Sequence, residues 1–202
     1  LVIRRQRQMC IRDRMKKVII TGSAGFIGFH TALRFLKEGF EVYGIDDLND
    51  YYDPNLKEDR NKILEQDKNF NFIKADISKV EIKNKYNEIN PELFINLAAQ
   101  AGVRHSITNP EDYIKANIDS FLHIMEFAKD SKNLVRTLYA STSSVYGGNI
   151  RQPFQESHGV DHPLQFYAVS KRTNELMAHA YSNLYGTESV SYTHLRAHET
   201  VV

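Results

Sequence analysis

Val18-Ile19-Ile20-Thr21-Gly22-Ser23-Ala24-Gly25-Phe26-Ile27-Gly28-Phe29-His30 joins a short β-branched run to a turn with three glycines, and then to the start of a helical pattern. Apolar residues recur at Leu33 and Leu36 until Gly39 closes the pattern. A turn without Cβ atoms lets the backbone approach a pyrophosphate. The helix behind it offers unpaired N–H groups and a partial positive charge. The spacing is G-x-x-G-x-x-G rather than the commoner G-x-G-x-x-G, and Gly28, one turn into the helix, allows close packing on the strand. Glycines alone decide little, because any tight strand-to-helix turn needs them.

Working outward, apolar runs and helical patterns alternate. Strands are expected at Glu41–Asp46, Phe70–Ala75, Leu93–Ala98 and Leu134–Ser141. Helices are expected near Asn55–Gln66, over Lys79–Glu88, from about Glu111 to Lys129 and from Phe166 to about Leu184. In the third of these, Ile114, Ile118, Leu122, Met125 and Phe127 are the expected buried positions. Such alternation predicts an α/β fold, a Rossmann-type doubly wound parallel sheet with helices on both faces. Ligands in these sheets bind beyond the carboxyl ends of the strands. Asp46 ends the second strand, 24 residues after Gly22, where a carboxylate accepts hydrogen bonds from the ribose hydroxyls of adenosine and repels a 2′-phosphate. NAD is therefore expected over NADP. Asp76 ends the third strand, placed either to meet the adenine or to cap the next helix.

Two further features lie at the far end of the pattern. From Tyr139 to Tyr146, six of eight residues carry a hydroxyl and none a charge. Tyr167 and Lys171 stand at i and i+4 on one helix face. A neighbouring ammonium is expected to lower the phenol's pKa, and a tyrosinate beside a nicotinamide can take an alcohol proton while hydride leaves the carbon. A lone Tyr-x-x-x-Lys pair is common on helices; its place after the glycine turn, the ribose acid and the hydroxyl-rich strand end gives it weight.

Composition limits the alternatives. The 202 residues, 42% apolar and 25% charged, suit one soluble domain, and no run is long enough to span a bilayer. Cys10 is the only cysteine, so no intrachain disulfide forms, and a reducing cytoplasm is expected. His105, His123, His158 and His162 show no metal-ligand spacing, and no metal is expected. Residues 1–14, with five arginines, and residues 191–202 lack any apolar period and resemble translated adapter sequence, so both are expected to be non-native. Six of the 26 basic residues and two of the 25 acidic ones lie there, leaving the middle with net charge −3. Neither nucleic acid nor a membrane is expected as a partner.

Residues 15–190 resemble the extended short-chain dehydrogenase/reductase family, specifically its NAD-dependent nucleotide-sugar epimerases. The stretches TGSAGFIG, GIDDLNDYYDPNLKEDR, NLAAQAGVRHS, YASTSSVYGG and YAVSK carry the resemblance. The second and third are the more specific and are similar to UDP-glucuronate 4-epimerases. The resemblance implies a catalytic Thr142 that hydrogen-bonds the substrate hydroxyl, an acid/base Tyr167, and a Lys171 that binds the nicotinamide ribose. It places Gly22, Gly25, Phe26, Ile27, Gly28, Asp46, Asp76, Ile77, Ala98, Ala99 and Asn117 at cofactor-contacting positions with Tyr167 and Lys171, and makes Arg104, Ser143 and Ser144 sugar contacts beside Thr142. The implied reaction inverts C4 of a UDP-linked uronic acid: C4 is oxidised, the 4-keto sugar turns over, and hydride returns to its other face. Sister 4,6-dehydratases and uronate decarboxylases share the oxidation, and many carry an acid where this chain has Ser143 and Ser144. The family continues past Val190 into a small C-terminal substrate domain that this chain is expected to lack, so an inactive cofactor-binding fragment is a further alternative. A homodimer, and a role in polysaccharide biosynthesis, are implied for the full-length protein.

Overall fold

The computed structural model describes residues 16–192. Residues 1–14, and the 191–202 segment beyond Tyr192, lie outside them. The elements in chain order are β1 (Lys17–Thr21), α1 (Phe26–Lys37), β2 (Glu41–Asp46), α2 (Pro54–Leu64), β3 (Phe70–Lys74), α3 (Ile82–Ile89) and β4 (Leu93–Asn96). A short helix α4 (His105–Thr108) follows, then α5 (Pro110–Tyr113), a π-helical turn (Ile114–Asp119) and α6 (Ser120–Asp130). The chain continues through β5 (Arg136–Ala140), a 3₁₀ turn (Ser143–Tyr146), α7 (Phe166–Tyr185) and β6 (Ser189–Tyr192).

All strand pairs are parallel, in the order β3-β2-β1-β4-β5-β6. This is a doubly wound parallel sheet, the architecture that the sequence predicts. The chain reverses direction across the sheet between β1 and β4, which opens a crevice at their carboxyl ends. Successive side chains of a strand point to opposite faces, and β1 shows the consequence. Ile19 joins Ile45, Ile82, Tyr86, Phe94, Phe121 and Phe127 on one face, whereas Val18 and Ile20 join Phe29, Ala32, Leu36, Val42 and Leu64 on the other. Each face is thereby sealed by helices, α3, α6 and α7 on the first, α1 and α2 on the second.

Local chemistry sets the helix ends. Asp53 caps α2 by accepting from the Asn55 N–H, with Pro54 in the first turn, where its missing N–H costs nothing. α7 stops at Gly186, whose positive φ allows the left-handed closing turn.

The 110–130 stretch departs from the expected pattern. Met125 and Phe127 are buried as expected, but Ile114 is 42% and Leu122 40% exposed, while Tyr113, Phe121 and Ile124 are fully buried. The wide π-helical turn rotates the register between α5 and α6, so a single 3.6-residue period fails across it. It turns Asn117 inward, where its side chain meets Gln100 and Ser170. Strand β6 was not expected; Ser191 and Tyr192 extend it alongside Tyr139 and Ala140.

Candidate active site

The glycine turn sits at the crevice. Gly22 has φ +71°, and a Cβ there would lie 2.8 Å from the Ala98 nitrogen on the neighbouring strand end. A Cβ on Gly28 would fall 1.9 Å from the Gly22 carbonyl oxygen, so this glycine packs the helix on the turn itself rather than on the strand. Gly25 occupies the N-cap of α1 in extended conformation and makes no side-chain cap, which leaves the first helical N–H groups for a ligand.

Asp46 faces this turn. Its carboxylate accepts from the Ala24 N–H at 3.1 Å and the Leu48 N–H at 2.9 Å. Burial pushes its pKa up, against those hydrogen bonds and the charge of Lys57. Lys57 is itself buried, donating to the Asn49 carbonyl at 2.9 Å and side-chain oxygen at 2.7 Å, 4.6 Å from the Tyr52 ring centre. Asp76 does not cap the next helix, whose N-cap is Glu81. It ties its own turn by accepting from Ser78, and it lines the same pocket as Asp46. Burial works to raise its pKa, but the Ser78 hydrogen bonds with Lys115 and Lys79 outweigh it and hold it low.

Gly22, Gly25, Asp46, Asp76, Ile77, Ala98 and Ala99 line one cleft across the switch point. Phe26 and Ile27 are more than 40% exposed at the start of α1, outside that lining, and Gly28 lies behind the turn. The sequence reading singled out none of Asn49, Tyr51, Tyr52, Lys57 and Gln100 as site residues, and all five line the cleft. Tyr51 reaches across to the Ala101 carbonyl at 3.0 Å, which also accepts from Tyr113 at 2.8 Å. These residues belong to the DLNDYYDPNLKEDR and NLAAQAG stretches, so their signal was the motif, not a charge or period.

The other side of the crevice holds the hydroxyls. Thr142 caps the 3₁₀ turn, accepting from the Ser144 N–H at 3.2 Å and donating to its Oγ at 3.3 Å. Its side chain also faces the Tyr167 phenol. Burial raises the Tyr167 pKa, and only the Thr142 hydroxyl opposes this. The expectation that Lys171 lowers it is therefore corrected. The buried Lys171 ammonium donates to the Ala140 carbonyl at 3.0 Å, and burial brings its own pKa down to about 8. Ser143 and Arg104 are exposed, Arg104 just ahead of α4. Asn117 bonds the Gln100 backbone N–H and carbonyl and the Ser170 hydroxyl, joining the β4 loop to α7.

The cradle suits a dinucleotide. Gly22 and Gly25 line it without Cβ atoms, the uncapped N-terminus of α1 adjoins it, and the Asp46 carboxylate lines it too. Fold and site together define a Rossmann-type domain of the extended short-chain dehydrogenase/reductase class. More narrowly, the chain belongs to the family described as GDP-mannose 4,6 dehydratase, whose sequence model matches residues 19–200. Protein CapI of Staphylococcus aureus is 49% identical over 170 residues, 84% of this chain and 50% of that protein. UDP-glucuronate 4-epimerase 6 of Arabidopsis thaliana is 40% identical over 193 residues, 95% of this chain and 41% of that one. Among solved structures, the UDP-glucuronic acid 4-epimerase from Bacillus cereus in complex with UDP-glucuronic acid and NAD superposes with a TM-score of 0.80 at 31% identity, covering 88% of this chain and 55% of that one. The chain thus spans about half the length of the curated relatives it matches.

Proposed function

We propose that this chain is the coenzyme-binding and catalytic part of an NAD-dependent UDP-sugar 4-epimerase, acting on UDP-glucuronate to form UDP-galacturonate through a 4-keto sugar. The observation that carries the reading is the Thr142 hydroxyl beside the Tyr167 phenol at the carboxyl end of β5, with no acid between Ser141 and Gly148. Bound in the cleft, NAD supplies a reversible hydride acceptor. Gly22, Gly25 and the start of α1 would hold its pyrophosphate, Asp46 its adenosine ribose, and Lys171 the second ribose. Thr142 orients the substrate's 4-hydroxyl. Tyr167 takes that proton and later returns it, which is all the acid/base work that inversion requires. Elimination of water would need a further proton donor, and Ser143 and Ser144 are poor ones. The hydroxyls suit a sugar carboxylate instead.

The supporting relatives include several UDP-glucuronate 4-epimerases. In keeping with that class we place the protein in the cytoplasm, as a homodimer serving polysaccharide biosynthesis. The test supplies UDP-glucuronate and NAD to the protein continued to the length of its relatives. UDP-galacturonate is expected, lost in Tyr167→Phe; a 4-keto-6-deoxy sugar or released CO₂ overturns the reading.

A further inference from the structure

The stripe that carries Tyr167 and Lys171 continues one turn further along α7, to Glu175. Three turns of one helix grip three successive residues at the end of β5. Lys171 holds the Ala140 carbonyl at 3.0 Å, Glu175 Oε1 accepts from the Ser141 hydroxyl at 2.5 Å, and Tyr167 meets Thr142. Glu175 is in turn fixed. Its other carboxylate oxygen accepts from Arg172 Nη1 at 3.0 Å, and Arg172 Nη2 lies 3.9 Å from Asp161. The Glu175 side chain is only 14% exposed, and a hydroxyl-to-carboxylate bond in such a place is among the stronger kinds.

The position of that bond matters. The Ser141 N–H makes its ladder bond to the Tyr192 carbonyl at 2.7 Å, and the chain then leaves the sheet at Thr142, in extended conformation. On its far side Thr142 is tied to Ser144. On its near side the Ser141 side chain is the last tie to α7. A reacting group held loosely by about 1 Å loses roughly a hundredfold in rate, so whatever pins this corner governs the hydroxyl beside Tyr167.

We propose that Glu175 is a positioning residue: through Ser141 its carboxylate fixes the end of β5, so that the Thr142 hydroxyl stays against Tyr167. This rests on the catalytic reading of Thr142 and Tyr167 given above. Arg172 holds the carboxylate from behind with Asp161 near its other amino group, and Tyr167 is flanked by Thr142 and by the Tyr113 ring at 6.0 Å between centres.

The test uses this chain with ¹³C-methyl threonine and ¹³Cζ-tyrosine, the signals assigned through Thr142→Ser and Tyr167→Phe. In the parent protein, Thr142 shows the three-bond couplings of one staggered rotamer. In Ser141→Ala and in Glu175→Ala these couplings fall toward the average of several rotamers, and the Tyr167 Cζ signal shifts as the Thr142 hydroxyl leaves it part of the time. The double variant matches the single ones, because the two residues act as one unit. Glu175→Gln retains an acceptor for Ser141 and restores the parent couplings. A merely structural Glu175 lowers the melting temperature while leaving the Thr142 couplings as they are. Unchanged couplings in Ser141→Ala, the milder variant, overturn the proposal even where Glu175→Ala does not fold. NAD titration of the parent chain is a separate arm: absence of binding counts against the functional reading and leaves the rotamer comparison standing.

Discussion

The two sides of the switch point are built from different material. On the β1–β3 side, the backbone does most of the work: Gly22, Gly25 and Gly28 shape the turn, and Asp46 is clasped by two backbone N–H groups. On the β4–β6 side, side chains do it: Thr142, Tyr167, Lys171, Glu175, Asn117 and Ser170 form a web of polar contacts around the end of β5. The first side should fail when atoms are added, and the second when polar groups are taken away.

Adding one carbon gives the largest effect. Gly28→Ala forces its Cβ against the Gly22 carbonyl at 1.9 Å, a backbone contact that cannot step aside. The expected loss is about 3 kcal/mol or more, read from urea unfolding, at the top of the range for overpacking. Gly39→Ala is the control. Its added carbon meets nothing within 4 Å and pays only for a φ of +81°, about 1 kcal/mol. Equal losses at the two sites would erase the claim that close approach, rather than conformation, fixes the turn.

The catalytic side offers a pH signature. Lys171 titrates at about 8 when folded, against an ordinary value of 10.5. Below pH about 8 the ammonium is charged in both states, and the full cost of burying it is present. As pH rises from about 8 to about 10, the unfolded chain keeps the proton that the folded one has released, so stability rises, by on the order of 2 kcal/mol. Lys171→Met should abolish that rise in unfolding curves taken across this window. A parent protein whose stability is flat from pH 8 to 10 contradicts the burial of this ammonium.

Asp46→Ala comes next. It should weaken NAD binding by about tenfold or more, near 1.4 kcal/mol by calorimetry, and loosen the turn that its carboxylate braces through Ala24. An unchanged affinity would mean that the carboxylate serves the protein's own backbone alone.

The same contrast explains how much of the molecule could be read in advance. Glu41–Asp46 was legible to the residue because its largely buried, mostly apolar run lies between Gly39 and the polar stretch that follows Asp46. The glycine turn was legible for the same local reason. The pair Tyr167 and Lys171 was visible from helix spacing, but not the partner each would choose: Lys171 goes to the Ala140 carbonyl, 31 positions away, and Tyr167 is left to Thr142. Glu175 had the spacing of Lys171 and no separate mark, since its role depends on Ser141, 34 positions back. The π-helical turn was hidden because a local change of period follows from the inward demand of Asn117, a tertiary contact.

The smallest expected effect separates ring packing from polar contact on the catalytic side. Tyr86 is fully buried in α3, edge-on to Phe94 at 5.0 Å and to Phe127 at 5.5 Å. Its hydroxyl has no hydrogen-bond partner among the described residues, and burial pushes its pKa far up. Near the active site, removing a hydroxyl should cost; here it should not. Tyr86→Phe keeps both ring contacts and deletes the unsatisfied group, so stability should be unchanged or rise by up to about 1 kcal/mol. A loss of that size in thermal unfolding would show that the hydroxyl is paired after all, and that the polar web of the β4–β6 side reaches down into its core.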